Sequence, residues 1–157
     1  MMDTVDDDLD YFEVMAVADL PPSEPNRADC LGVSITPRLQ ILGFTVRQPC
    51  CWYHERDWSA ISEAAVAILG QASKSGIVRA KDVYKFAQDG IRASGLQGQD
   101  RHALYELLCP GIALMVGPSG KGYTNGQHRG QAMKDLNVKR TVVLRWPPMT
   151  GEESPCS

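Results

Sequence analysis

The sequence predicts a mixed α/β (α+β) domain in which a small sheet is combined with several helices. Three observations support this prediction. Runs rich in β-branched and apolar residues lie near both ends of the chain, at residues 11–17 and 138–144, as is typical of strands. Residues 58–108 show the spacing of three and four residues expected of amphipathic helices. Residues 112–125 have the pattern of a hairpin, with glycines at its turn.

The two ends of the chain are predicted to lie outside the folded domain. Residues 1–10 contain five aspartates and little to bury, so we expect a disordered acidic tail. Residues 147–157 begin with two prolines and are predicted to form a flexible tail. One domain over residues 11–146 remains, and its size is sufficient for a hydrophobic core.

The first half of this domain begins with a strand over residues 11–17. A proline-rich connection without helical character follows at residues 19–27. One or two short strands are predicted within residues 31–46, where β-branched residues alternate with Thr36-Pro37 and Gly43.

Three helices are predicted in the middle of the chain, over residues 58–73, 79–93 and 100–108. Asp57 or Ser59 is suited to cap the first of them. In each helix the apolar residues share one face, which should point towards the core. The predicted inward residues are Ile61, Ala65, Ile68, Leu69 and Ala72, then Val83, Phe86, Ala87, Gly90 and Ile91, then Leu104, Leu107 and Leu108.

The last third of the domain is predicted to be a hairpin, a short helix and a strand. Residues 112–116 are expected to form a buried strand, and a returning strand starts at Tyr123. Asn125-Gly126 is a pair suited to positive φ. A helix then begins near Gln127 or His128 and ends near Leu136-Asn137, before a strand over residues 138–144.

The start of this last helix is predicted to bind an anion, with phosphate as the usual choice. His128 and Arg129 stand where the helix dipole and the first backbone amides attract negative charge. The planar guanidinium of Arg129 suits phosphate, which it can bind through two hydrogen bonds. Lys121 and Thr124 are expected to make further contacts from the hairpin.

Residues 123–143 resemble the "D-G-x-H-R-x-x-A" segment, and the valines that follow it, of the ParB/sulfiredoxin-like superfamily. The matching positions are Gly126, His128, Arg129, Ala132, Val138 and Val142. Residues 19–27 partly resemble the superfamily's opening segment, "L-x-P-S-x-x-N-P-R", although the proline here precedes Asn26. The resemblance covers about a third of the chain, and it implies the superfamily's small mixed sheet with a helical insertion at about residues 58–109.

The resemblance also implies a nucleotide ligand, because this loop and helix hold nucleotide phosphates in the superfamily. A nucleotide of the ATP or CTP type is expected, with or without Mg²⁺, and no metal site made of protein side chains. The residues expected to bind the nucleotide are Lys121, Thr124, Gly126, Gln127, His128 and Arg129, together with Asn26 and Arg27 from the opening segment.

Three departures from the superfamily's pattern bear on activity. Asn125 replaces an acidic residue, and Gln127 stands where sulfiredoxins have their reactive cysteine and partition proteins a glutamate. His128 and Gln131 stand in place of arginines of the partition proteins. Sulfiredoxin chemistry is therefore not expected. A nuclease or nucleoside triphosphatase is the enzyme alternative, and a protein-interaction module with a purely structural loop is the third.

Two residues of the motif have alternative roles. His128 is a candidate phosphate donor, a candidate catalytic acid or base, or a cap of the turn. Arg129 is the best ligand candidate, and its structural alternative is an ion pair with a helix carboxylate such as Asp135.

Charge is distributed unevenly along the chain. Residues 120–146 contain six cations and one aspartate, which is a net charge of +5 and leaves −8 for the remainder of a chain whose net charge is −3. The basic segment is either an exposed helix face and strand edge or a patch for the phosphates of a nucleotide or of DNA. The sequence has no apolar run long enough to span a bilayer, so no membrane partner and a cytoplasmic location are expected.

The five cysteines have no framework spacing, so reduced thiols are expected. Cys50 and Cys51 precede His54, yet no second pair of ligands with zinc-like spacing follows, so we predict that they bind no zinc. The aromatic rings of Trp52, Tyr53 and Trp58 are expected to pack against the domain. No pattern typical of a Ser-His-Asp or Cys-His catalyst is found, and the sequence indicates no partner for His54.

Overall fold

The computed structural model describes residues 10–23, 51–117 and 121–145, which contain a four-stranded mixed sheet in the order β1-β4-β2-β3. Strand β4 pairs antiparallel with β1 and parallel with β2, and β3 returns antiparallel beside β2. The strands are β1 (Tyr11–Ala16), β2 (Met115–Val116), β3 (Tyr123–Asn125) and β4 (Arg140–Arg145). Because β4 lies inside the sheet, its residues 141–144 are buried, and three of these four are the apolar side chains expected there.

The described residues form four α-helices beside the sheet, so the predicted mixed α/β fold is confirmed. A short 3-10 helix, Val17–Asp19, follows β1 directly. The helix bounds agree with the sequence prediction to within about two residues, which is the usual uncertainty of helix ends. The helices are α1 (Trp58–Lys74), α2 (Ala80–Ala93), α3 (Gly98–Leu108) and α4 (Gln127–Asp135).

Local sequence signals set the ends of two helices as expected. The Asp57 carboxylate accepts a hydrogen bond from the Ala60 amide at 3.1 Å and caps α1. After α4, Asn137 adopts a positive φ of 56°. The amides of Asn137 and Val138 then donate to the carbonyls of Lys134 and Met133, which is the hydrogen-bond pattern of a Schellman ending.

The helical segment and the sheet share one hydrophobic core. Helix α1 packs against α2, α3 and β4, and Trp58 at its start is completely buried. A buried hydrogen bond of 3.1 Å joins Ser62 Oγ of α1 to Thr141 Oγ1 of β4. The predicted inward residues of the three helices are buried, apart from Leu69, Phe86 and Gly90, which are partly buried. The predicted helical insertion therefore completes the core of this domain and is not an appendage to it.

The predicted strand over residues 112–116 is shorter in the structure. Only Met115 and Val116 pair in the sheet, because the chain leaving α3 first makes a tight turn in which the amides of Ile112 and Ala113 donate to the Cys109 carbonyl. Ile112 is 39% exposed and is not part of the buried strand. Two other strands also differ from their predicted bounds. Strand β1 ends at Ala16 where residues 11–17 were predicted, and β4 begins at Arg140 where residues 138–144 were predicted.

Several predictions fall on other parts of the chain. The acidic tail over residues 1–9, the short strands within residues 31–46 and the tail over residues 147–157 lie outside the described residues. Within the parts that are described, no helix is both long enough and apolar enough to cross a membrane.

Candidate functional site

The β2–β3 hairpin leads directly into α4, and Gly126 makes this connection. The Gly117 amide donates to the Gly122 carbonyl at 2.8 Å across the hairpin. Gly126 has a φ of +83°, and a β-carbon there would lie 3.0 Å from both Cα and Cδ1 of Leu114. Glycine is thus required for its conformation and for its close contact. The predicted positive φ within Asn125-Gly126 is confirmed at Gly126.

A cavity of about 350 Å³ lies beside the start of α4. It is lined by Tyr53 and by the consecutive residues 123–129. Five predicted ligand residues are therefore brought together, namely Thr124, Gly126, Gln127, His128 and Arg129. The volume lies within the range of small-molecule sites, about 300–1,000 Å³, near its lower end.

Of the predicted ligand residues that the structure describes, only Lys121 is absent from the lining of this cavity. Lys121 is exposed in the hairpin turn and is not among the lining residues. Asn26 and Arg27 lie outside the described residues. The segment that leads towards them does reach α4, because Ser23 Oγ donates to the Gln127 carbonyl at 3.3 Å. The two parts of the chain that carry the resemblance thus meet at the start of this helix.

Arg129 extends inward from α4 and is only 6% exposed. Its Nη1 donates a hydrogen bond to the Ile112 carbonyl, whereas its Nε is buried without a hydrogen-bond partner among the described residues. Burial lowers the pKa of Arg129, and the charges of Glu106, Tyr53 and Cys109 partly oppose this. The expected alternative of an ion pair with Asp135 is wrong, because Asp135 pairs with His54. No described carboxylate pairs with the Arg129 guanidinium.

Tyr123 contributes a second buried polar atom, which no feature of the sequence predicts. Its hydroxyl oxygen is buried and has no hydrogen-bond partner among the described residues. Burial raises the pKa of Tyr123 to about 12. Both Tyr123 and Arg129 line the cavity, so two hydrogen-bond donors without acceptors among the described residues belong to the same site.

The segment after Cys51 provides the opposite wall of the cavity. The Tyr53 and His128 rings are in edge contact, with centroids 5.4 Å apart and planes inclined by 61°. Tyr53 also packs edge-on against Trp52, and Trp58 Nε1 donates to the Tyr53 carbonyl at 2.6 Å. The prediction that Trp52, Tyr53 and Trp58 pack against the domain is confirmed. The ring contact limits the orientations open to His128.

The basic segment is less exposed than its composition indicates. Arg129 is buried, and Lys134 Nζ donates to the carbonyls of Leu20 and Pro21 at 2.7 and 2.9 Å. Arg145 forms an ion pair with Glu13 on the neighbouring strand. The remaining cations, Lys121, Lys139 and Arg140, are exposed at the hairpin turn and near the start of β4. At least half of the predicted patch is thus used within the fold.

Both ring nitrogens of His54 have partners among the described residues, which corrects the interpretation of the sequence. Its Nδ1 lies 3.2 Å from the Cys51 sulfur, and its Nε2 lies 2.8 Å from Asp135 Oδ2. Cys51 could have been noticed as a neighbour three residues away. Asp135 is 81 residues further along the chain, so only the tertiary fold could reveal it.

No family model, curated protein or solved structure matches this chain. The resemblance to the ParB/sulfiredoxin-like superfamily consequently rests on the motif residues alone and stays a prediction.

Proposed function

We propose that the cavity beside α4 binds a phosphate-bearing ligand, and specifically a nucleotide of the ATP or CTP type. One observation carries the proposal: Arg129 is a buried cation that no described carboxylate neutralises. An isolated buried charge costs several kcal/mol, which an anion in the cavity would offset. The ligand would thus supply a counter-ion in direct contact with the guanidinium, which none of the described carboxylates provides.

The surrounding groups support an anion that accepts hydrogen bonds. Arg129 Nε and the Tyr123 hydroxyl are donors without described acceptors. Gln127 begins α4, so the positive end of the helix dipole lies at the cavity. Gly126 lines the cavity, and its positive φ allows the hairpin to lead directly into α4 there. Phosphate oxygens suit all of these groups together.

The shape and composition of the cavity favour a nucleotide over inorganic phosphate alone. The Tyr53 and Tyr123 rings offer flat apolar surface to a sugar or a base. The small volume fits a ligand whose phosphates enter while the remainder lies at the mouth. The lining residues include no carboxylate, so Mg²⁺ would reach the site on the nucleotide phosphates.

If the protein is an enzyme, the same proposal predicts hydrolysis of the bound nucleotide, and His128 is the candidate acid or base. It lines the cavity and is oriented by Tyr53. Gln127 cannot accept a proton in place of the glutamate found in partition proteins. We do not extend the proposal to DNA, because three of the six cations in the basic segment are engaged within the fold.

A nucleotide panel tests the proposal. ATP, CTP, GTP, UTP and inorganic phosphate would be added, with and without Mg²⁺, and thermal stabilisation measured. At least one nucleotide should raise the melting temperature in a concentration-dependent manner. Stabilisation by none of the nucleotides would contradict the proposal and favour a protein-interaction module whose loop is only structural.

Variants then locate the ligand that the panel identifies. Arg129→Met should weaken its binding by about 1.5–3 kcal/mol in calorimetric titrations, the usual scale for hydrogen bonds to charged groups. Tyr123→Phe removes a single oxygen and should also weaken binding while leaving the protein folded. Arg92→Met is the matched control, because Arg92 is an exposed arginine on α2, paired with Asp89. Equal affinities for Arg129→Met and Arg92→Met would place the ligand elsewhere.

A further inference from the structure

A cysteine, a histidine and an aspartate form a continuous hydrogen-bonded row on one side of α4. The Cys51 sulfur lies 3.2 Å from His54 Nδ1, and His54 Nε2 lies 2.8 Å from Asp135 Oδ2. The other oxygen of Asp135 accepts a hydrogen bond from Gln131 Nε2 at 2.8 Å. The carboxylate is therefore held from two sides, and it fixes the orientation of the imidazole.

The backbone also fixes the spacing of the thiol and the imidazole. The His54 amide donates to the Cys51 carbonyl at 3.0 Å, so residues 51–54 form a tight turn that places both side chains together. Arg56 Nε donates to the Trp52 carbonyl at 3.1 Å and strengthens the same turn. The contact between Cys51 and His54 thus follows from local structure, and α4 supplies the third member.

The arrangement is unsuited to holding one metal ion. Cys51 and Asp135 contact opposite nitrogens of the imidazole, so their ligand atoms do not converge on a common point. No group of three or more metal-ligating side chains is found among the described residues. A nucleophile, a base and an orienting carboxylate are, in contrast, arranged in this order in thiol and hydroxyl catalysts.

The electrostatics favour proton transfer from the thiol to the imidazole. Burial lowers the pKa of His54, but its hydrogen bonds and charge interactions with Cys51 and Asp135 outweigh burial and raise it overall. An imidazolium next to a thiol stabilises the thiolate, which is the nucleophilic form. The other nearby charges are Lys134, which interacts with Asp135, and the Arg56–Glu55 pair in the turn.

This cluster is separate from the cavity of the proposed ligand. None of its three members is among the cavity-lining residues. Asp135 follows His128 by seven residues, or two helical turns, which is about 10 Å along α4. Cys51 is half-buried, and the side chain of Asp135 is 37% exposed. The cluster therefore lies near enough to the surface to meet a substrate of its own.

We infer that Cys51 is the nucleophile of an acyl-transfer site, with His54 as its acid and base and Asp135 as the positioning residue. The substrate class is an activated carbonyl compound, either an ester or a thioester. His54 accepts the thiol proton as the sulfur attacks the carbonyl carbon and a C–S bond forms. The bond to the leaving group then breaks, and the leaving group departs with its electron pair and the proton from His54.

Water completes the cycle. His54 takes a proton from water as the water oxygen attacks the thioester carbonyl, and the C–S bond breaks. The sulfur leaves with the electron pair and regains its proton from His54. The sum is an acyl compound and water giving a carboxylic acid and the protonated leaving group, with no oxidant or metal required.

Acylation by p-nitrophenyl acetate tests this inference on the full chain. A Cys50→Ser background removes the adjacent thiol, so that peptide mapping assigns the label without ambiguity. We expect a burst of one equivalent of p-nitrophenol per chain and an acetyl group on Cys51. Separate His54→Gln and Asp135→Asn variants should slow the burst at least about tenfold, whereas Cys109→Ser, which changes a second half-buried cysteine of the described residues, should leave it unchanged.

A second measurement uses the Cys50→Ser protein without any further substitution. The rates at which iodoacetamide modifies Cys51 and Cys109 in the same chain would be compared from pH 5.5 to 9. Cys51 should react faster below pH 7.5, where an ordinary thiol, with a pKa of about 8.5, is mostly protonated. Equal rates, or acetylation mainly on another cysteine, would overturn the inference. One zinc ion per purified chain, lost on Cys51→Ser, would overturn it as well.

Discussion

Tyr123 lies so close to Gly130 that a β-carbon on this glycine would be 2.5 Å from the phenol oxygen and 2.9 Å from Cε1. The absence of a side chain on α4 at this position is what allows the phenol ring to lie there. The ring is thereby held as one wall of the cavity, with its hydroxyl oxygen buried. Glycine normally destabilises a helix, but here it provides the space for the Tyr123 ring that forms the cavity wall.

Replacement of Gly130 by alanine should therefore disturb the cavity. Alanine is the better helix former by about 1 kcal/mol, but its methyl group would displace the Tyr123 ring. We expect Gly130→Ala to weaken nucleotide binding and to lack the gain in stability that propensity alone predicts. Chemical denaturation and calorimetric titration measure the two effects.

Gly70→Ala is the matched control for that substitution. Gly70 is also a helix glycine, on α1, and no atom lies within 4 Å of the β-carbon it would gain. Gly70→Ala should raise the free energy of unfolding by about 0.5–1 kcal/mol and leave binding unchanged. A Gly130→Ala protein that gained as much stability and bound as well would show that Tyr123 moves freely.

Gly126 gives a second comparison, between two glycines with positive φ. Gly126→Ala combines backbone strain with the contact to Leu114 at 3.0 Å, whereas Gly76→Ala, at a φ of +72°, meets no atom within 4 Å. Gly76→Ala should cost about 1–2 kcal/mol of unfolding free energy, from strain alone. Gly126→Ala should cost at least about 1 kcal/mol more, as measured by urea denaturation. Equal costs would mean that Leu114 moves aside without penalty.

Local signals in the sequence were sufficient for much of the fold. The spacing of apolar residues located α1 to α3, because each helix presents one continuous face to a shared core. Gly126 and Asn137 were identified as residues suited to a left-handed or helix-ending conformation, and both have positive φ. These predictions depend only on neighbours within about one helical turn.

The rest required tertiary structure. Arg129 was expected to face a ligand directly, yet its burial and its bond to the Ile112 carbonyl depend on how the turn after α3 passes α4. The approach of Tyr123 to Gly130 depends on the angle between hairpin and helix. Asp135 reaches His54 from 81 residues away. Motif spacing contains no information about such contacts.

Arg129 should lower the free energy of unfolding of the protein when no ligand is bound. Its guanidinium is buried without an ion pair to a described carboxylate. Replacing even a complete buried ion pair by apolar residues of similar volume is often neutral or stabilising by about 1–4 kcal/mol. Arg129→Met should therefore leave the ligand-free stability unchanged or raise it by up to about 2 kcal/mol, after the lost bond to the Ile112 carbonyl is included. Urea denaturation without nucleotide measures this.

The same substitution should abolish most of the stabilisation by nucleotide. A functional residue that lowers the stability of the free protein is the expected signature of a binding site. Arg92→Met, on the exposed face of α2, should change neither quantity. A large loss of ligand-free stability in Arg129→Met would instead show that the guanidinium serves the fold.

The His54–Asp135 contact should make stability depend on pH in a defined direction. The folded-state pKa of His54 is raised above 6.5, because hydrogen bonds and charge interactions with Cys51 and Asp135 outweigh its burial. A group whose pKa is raised on folding stabilises fully below its unfolded pKa, and this contribution is lost as the pH rises through the folded pKa. We expect the contribution of His54 to be complete at pH 5.5 and to decline from about pH 6.5 upward.

The difference in unfolding free energy between the natural chain and His54→Gln isolates this contribution. His102, His128 and the other titrating groups are present in both proteins and largely cancel. The difference should be greatest at pH 5.5 and smaller at pH 8.5, and in an Asp135→Asn background its pH dependence should diminish, because one source of the raised pKa is removed. A difference that grows with pH would mean that the imidazole is neutral in the folded protein. In that case Cys51 or Asp135 would be the donor in its hydrogen bond to the imidazole.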